Sequence, residues 1–97
     1  MNTSKRHALL FCKPDCGPCT QTKEFRDDLF TEHPKLKELL TTFEVKEDSI
    51  WRETYTLNKF PTLLIVDGSG EEKDRIVGGK KIREYASATL PTLLEGK

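Results

Sequence analysis

Five consecutive residues, Thr62-Leu63-Leu64-Ile65-Val66, run from a proline to an aspartate with no polar group beyond one hydroxyl. A run this short, bounded by turn residues, fits a strand better than a helix, and a strand apolar at every position is buried on both faces. A sheet built around such a strand needs cover above and below. The chain must therefore supply helices for both sides, which narrows the fold to a layered α/β arrangement.

The remaining sequence supplies them. His7 to Cys12 contains the apolar run Ala8-Leu9-Leu10-Phe11, a short buried strand that Lys13-Pro14-Asp15 stops. Residues 1–6 are polar and read as a loose lead-in. From Gly17 to Glu32 the pattern is helical, with Phe25 and Leu29 on one face and Lys23, Arg26 and Asp27 on others. Pro34 ends that helix by pushing the residue before it out of the α region. Lys35 to Leu40 adds a further turn or two, with Leu36, Leu39 and Leu40 inward. Thr42 to Lys46 alternates Phe43 and Val45 with Glu44 and Lys46, a second strand. Asp48 or Ser49 caps a helix that pairs Ile50 with Leu57 and Trp51 with Tyr55. After the central strand, Asp67-Gly68-Ser69-Gly70 makes a hairpin turn, and Lys73 to Val77 returns as a fourth strand that Gly78-Gly79 ends. A last helix from Lys80 places Ile82, Tyr85, Ala86, Thr89 and Leu90 on one side and stops at Pro91. The expected order is β-α-β-α-β-β-α, a four-stranded mixed sheet flanked by helices, in a single domain over residues 1–97.

Composition limits the function classes. With 97 residues, 35% hydrophobic and 33% charged, the chain fills one modest core. Sixteen Lys+Arg balance sixteen Asp+Glu, which argues against a nucleic-acid binder whose affinity comes from neutralising phosphates. No apolar run approaches the roughly 20 residues of a membrane helix. The four apolar residues after His7 also fall short of the ~7–15 of a secretory signal. The chain reads as a cytoplasmic monomer that meets neither membrane nor nucleic acid. Three cysteines crowded into residues 12–19 do not make the disulfide framework of a small secreted domain.

The chemistry lies in Cys16-Gly17-Pro18-Cys19, which follows the first strand and opens the first helix. Disulfide exchange needs a thiolate, and a free cysteine with a pKa of ~8.5 is mostly protonated at neutral pH. A cysteine just ahead of a helix faces unpaired N–H groups and the positive end of the dipole, and both favour the charged form. Cys16 has that place. Cys19 follows one turn later on the same face, within reach of its sulfur, and Pro18 sits where a missing N–H costs nothing. Cys16 would attack a substrate disulfide. Cys19 would then displace the reduced substrate, leaving a Cys16–Cys19 disulfide and needing neither cofactor nor metal.

Two other classes compete. His7 and His33 could join the thiols around zinc, but they lack ligand spacing. A pure binding module would have no use for both cysteines. Cys12-x3-Cys16-x2-Cys19 also has the spacing of a radical-SAM cluster motif, but that chemistry needs a barrel this chain is too short to build. Cys12 itself, on a strand, reads as a small buried hydrophobe, dispensable for turnover.

Together these features resemble the thioredoxin/glutaredoxin superfamily. Cys-Gly-Pro-Cys matches the thioredoxin active site. Phe60-Pro61-Thr62 resembles its cis-proline loop, and Val77-Gly78 resembles its third substrate-contacting segment. The resemblance implies a thioredoxin-like fold and a thiol–disulfide oxidoreductase that reduces protein disulfides. It implies Cys16 and Cys19 as catalytic residues, with Asp15, Gly17, Pro18, Phe60, Pro61, Val77 and Gly78 facing the substrate. The chain also departs from thioredoxins. Asp15 stands where they carry tryptophan, Leu10 stands where they carry a buried aspartate, and the 15 residues before the motif are too few for their extra strand and helix. Phe11-Cys12-Lys13-Pro14-Asp15-Cys16 is instead similar to the aromatic-x-Lys-Pro-x-Cys segment of glutaredoxin-like electron donors of ribonucleotide reductase. By that resemblance Lys13 stabilises the Cys16 thiolate, and ribonucleotide reductase is a family-level substrate. The implied reductant is thioredoxin reductase, with glutathione as the alternative. Lys80-Lys81 after Gly78-Gly79 departs from the residues that hold glutathione in glutaredoxins.

Overall fold

The protein is described by a computed structural model over residues 6–14, 16–46 and 50–89. The elements are β1 (His7–Cys12), α1 (Gly17–Glu32), α2 (Leu36–Leu39), β2 (Leu40–Glu44), α3 (Ile50–Thr54), β3 (Thr62–Val66), β4 (Glu72–Val77) and α4 (Gly79–Ala88). Asp15, the proposed caps Asp48 and Ser49, Leu90, Pro91 and the Trp51 side chain lie outside the described residues.

The strands form one sheet in the order β2-β1-β3-β4. β1 runs parallel to β2 and antiparallel to β3, and β3 runs antiparallel to β4. This is the mixed four-stranded sheet expected. Every residue of β3 is buried, as a strand covered on both faces requires. Alternation along the strands divides the core in two. Ala8, Leu10 and Cys12 of β1 join Leu63 and Ile65 of β3 beneath α1 and α4, while Phe11, Leu64 and Val66 pack on the other face with Val45 and Leu57. There the Phe11 and Phe43 rings stack with centroids 5.4 Å apart.

β2, α2 and α3 differ from the sequence reading because pairing or backbone overrides periodicity, and α4 stops at Ala88, which leaves Thr89, expected on its inward side, as an exposed C-cap. β2 begins at Leu40 rather than Thr42, because Leu40 pairs with Ala8 at the start of the parallel ladder. Leu40 is therefore a strand residue, and α2 shrinks to a single turn. Val45, expected within the strand, lies just past it, although its N–H still donates to the Cys12 carbonyl at 2.6 Å. α3 ends at Thr54, since Thr56 adopts a left-handed φ of 53°, and Leu57 reaches the core from the connection. Arg75 of β4 donates to the Tyr55 and Thr56 carbonyls and fastens that connection to the sheet edge.

The β3–β4 turn is built on Asp67. Its Oδ1 accepts from the Ser69 N–H, the Ser69 hydroxyl and the Glu71 N–H. The Ser69 hydroxyl bond chiefly holds its carboxyl down at about 2, with the two N–H groups and Lys73 assisting. A carboxyl depressed in the folded state contributes stability that is complete above its unfolded value, near 3.8, and fades as pH falls toward 2. Thermal melts of the wild type should thus lose more stability across that interval than melts of Asp67→Asn. Equal losses would mean that the turn does not depend on the charged form.

Candidate active site

The turn after β1 delivers Cys16 to the start of α1, where it is the N-cap in an extended conformation (φ −115°, ψ 110°). Its sulfur takes the place usually filled by a serine or aspartate oxygen and accepts from the Cys19 N–H at 3.2 Å. Its carbonyl accepts from the Thr20 N–H at 3.1 Å. Pro18 falls in the first turn of the helix. Both thiols are free. Cys16 is 9% exposed and Cys19 only 1%, so the Cys16 sulfur is the outer of the two. Lys13, Gly17 and Pro18 beside Cys16 are exposed.

Burial pushes the Cys19 thiol up to about 12, and its hydrogen bond to Cys16 adds to that rise. The Lys13 backbone N–H opposes it by donating to the Cys19 sulfur. Cys12 is completely buried, as expected of a small apolar residue on β1, and that burial pushes its thiol up. Alternation along β1 puts Cys12 on the same face as Leu10, the face that α1 covers.

The second side of the site comes from β3 and β4. The Phe60–Pro61 peptide is cis. Pro61 is buried, and its carbonyl accepts from the Gly78 N–H at 2.9 Å. Thr62 pairs with Phe11 on one side and Val77 on the other, so Pro61 and Gly78 stand at the end of the sheet where β1 hands over to Cys16. Gly78 caps α4 at φ 99°, a conformation that side chains rarely adopt. At Gly79 a Cβ would lie 3.0 Å from the Thr22 hydroxyl. That hydroxyl in turn donates to the Pro18 carbonyl at 2.8 Å. The missing side chain lets the start of α4 lie against the first turns of α1, which brings Gly78 to the neighbourhood of the motif. Phe60 is half-buried between the two halves of the core, with the Arg52 guanidinium 5.1 Å from its ring centroid. Thr22 and Arg52 escaped the sequence reading, because neither carries a motif.

His7 lies on β1 and His33 caps the far end of α1. Among the described residues no group of three His, Cys, Asp or Glu side chains is arranged to hold a metal ion. Lys80 and Lys81 are exposed in the first turn of α4.

No protein-family model and no curated protein matches the sequence. The structure is similar to solved thioredoxins. Thioredoxin f2 of Chlamydomonas reinhardtii superposes with a TM-score of 0.69 at 13% identity, over 92% of this chain and 83% of that one. The Malassezia sympodialis thioredoxin Mala s 13 gives 0.67 at 19% identity, over 94% and 78%. The Fasciola hepatica thioredoxin gives 0.62 at 24% identity, over 88% and 81%.

Proposed function

We propose that this chain, which has the thioredoxin fold, is a thiol–disulfide oxidoreductase that reduces disulfides in proteins. One observation carries the reading. The outer sulfur of Cys-Gly-Pro-Cys caps a helix and accepts an N–H bond, while the inner sulfur is buried one turn behind it. The first sulfur stands at the helix terminus, and the burial of the second keeps it protonated until it is needed.

The Cys16 thiolate attacks one sulfur of the substrate disulfide, and the other sulfur leaves as a thiolate. Cys19 then loses its proton to solvent and attacks the Cys16 sulfur. The second substrate sulfur departs, and Cys16–Cys19 is left oxidised. Two electrons have passed to the substrate, and a reductase or glutathione must return them. Gly17, Pro18, Phe60, Pro61, Val77 and Gly78, with Asp15, form the proposed contact surface, on which an extended substrate segment would lie as an added strand. A reducing cytosol is the compartment this chemistry fits.

Insulin reduction in the presence of NADPH tests this reading. One arm supplies thioredoxin reductase, and the other supplies glutathione with glutathione reductase. NADPH consumption is expected in the thioredoxin reductase arm. Consumption in the glutathione arm alone would reassign the reductant, and consumption in neither would overturn the proposed activity.

A further inference from the structure

Two guanidiniums flank the cis-proline side of the site. Arg52 lies 5.1 Å from the Phe60 ring centroid, and its Nε donates to the Lys46 carbonyl at 3.2 Å. Arg83 turns back along α4. Its Nη1 is 3.1 Å from the point where a Gly79 Cβ would stand, a point 3.0 Å from the Thr22 hydroxyl and 3.5 Å from the Pro18 carbonyl. Arg83 is thus drawn against the first turn of α1. The Pro61 carbonyl and the Gly78 N–H, bonded at 2.9 Å, join the two positions, since Phe60 precedes Pro61 and Gly79 follows Gly78. Both arginines are half-buried. Among the described residues neither forms an ion pair, whereas Arg26 and Arg75 both do. The surrounding charge has one sign. Lys59, Lys80 and Lys81 are exposed, and no Asp or Glu occurs over residues 57–66 or 75–83. Asp67, Glu71 and Glu72 gather at the other end of β3 and β4, and Glu44 ends β2 at the far edge of the sheet. Asp15 is the single acid among the proposed contact residues.

We propose that Arg52 and Arg83 take carboxylates of the substrate, so that the preferred protein disulfide lies in an acidic segment, with Asp or Glu flanking its cysteines. A guanidinium offers paired N–H donors in the fork that a carboxylate fits. One held half-buried against an aromatic ring or a helix start has already given up part of its freedom and its water, so less is lost when the carboxylate arrives. The exposed lysines act earlier. They raise the local concentration of an anionic segment before contact, and a like-charged segment is repelled. The idea names the substrate class of the proposed exchange activity and rests on it. The exchange step itself is unchanged.

The test uses the whole reduced chain and three disulfide peptides that differ only in the residues beside their cysteines, which are Glu, Gln or Lys. Single-turnover reduction is followed by chromatography. The Glu peptide should react about tenfold faster than the Lys peptide at low salt. The gap should close as ionic strength rises from about 0.01 to 1 M, where the screening length falls from about 30 to 3 Å. Arg52→Gln and Arg83→Gln should each lower the Glu-to-Gln rate ratio by about fivefold, the factor one close charge pair gives in water. Arg52→Lys and Arg83→Lys keep the charge and should keep most of the ratio, which a merely structural role would not. Arg83 makes no hydrogen bond among the described residues, so its variants carry the test if loss of the Lys46 contact unfolds Arg52→Gln. Equal rates for the Glu and Gln peptides, or a ratio that neither Gln variant moves, overturn the proposal and leave exchange standing. So does fast reduction of glutathione disulfide with no preference among the peptides, which would mark a small-molecule site. A chain that reduces none of the three peptides overturns exchange itself.

Discussion

Cys19→Ser is expected to hold the protein covalently on its substrate, while Cys16→Ser forms no such complex. The difference follows from depth. Cys16, at 9% exposure, is the outer sulfur at the helix terminus, and Cys19 lies behind it, almost without exposure. Only the outer sulfur can meet a disulfide carried by another protein. A hydroxyl at position 19 cannot displace a sulfur, so the mixed disulfide formed by Cys16 persists. Steady-state insulin reduction should fall to background in both variants. They separate on a non-reducing gel, where only Cys19→Ser shows a band that reductant dissolves. A reductant-sensitive band from Cys16→Ser, with none from Cys19→Ser, would reverse the two roles.

Leu10→Asp should come close to unfolding the protein at neutral pH. Leu10 is 1% exposed, pairs with Leu63 and Thr42 across the sheet, and packs in the same half of the core as Cys12 and Ile82. Losing a buried leucine side chain costs about 2–5 kcal/mol, and a buried polar group without partners adds roughly 1–3. Together these rival the ~5–15 kcal/mol that holds a domain folded. The cavity beside Leu10 measures about 10 Å³, too little to hydrate a carboxylate. Arg26 lines it, but its guanidinium already binds the Thr42 hydroxyl at 2.6 Å and the Asp27 carboxylate. A buried carboxyl has its pKa raised on folding, so the penalty is small while the group is protonated and grows as pH rises above the unfolded value. Urea melts should therefore show a midpoint that drops from mildly acidic to neutral pH in the variant more than in the wild type. A variant as stable as the wild type, with faster turnover, would mean that the site accommodates an acid after all.

The parts of this fold legible in the sequence are those where one residue pattern decides the outcome. β3 is apolar at every position, α1 runs between a proline in its first turn and His33-Pro34, and the redox motif sits where a strand meets a helix. β2 was less legible because its start is set by its partner. Leu40 has helical spacing with Leu36, yet it pairs with Ala8. α3 stops early at a left-handed threonine that no propensity announces. In the site, the motif and the proline loop stand out because their chemistry requires particular residues. The guanidinium over Phe60 and the approach of Gly79 to Thr22 are products of packing between distant segments. A single sequence encodes them without marking them.

In the proposed exchange the Cys16 sulfur is at once the reacting atom and the cap of α1. Each chemical step therefore rewrites a helix terminus. As a thiolate the sulfur is a strong acceptor for the Cys19 amide, and once bonded to a second sulfur it is a poor one. The first turn of α1 is thus loosened and retied in every cycle, and the Cys19 amide, read by hydrogen exchange, becomes an internal clock hand for the state of the sulfur it faces.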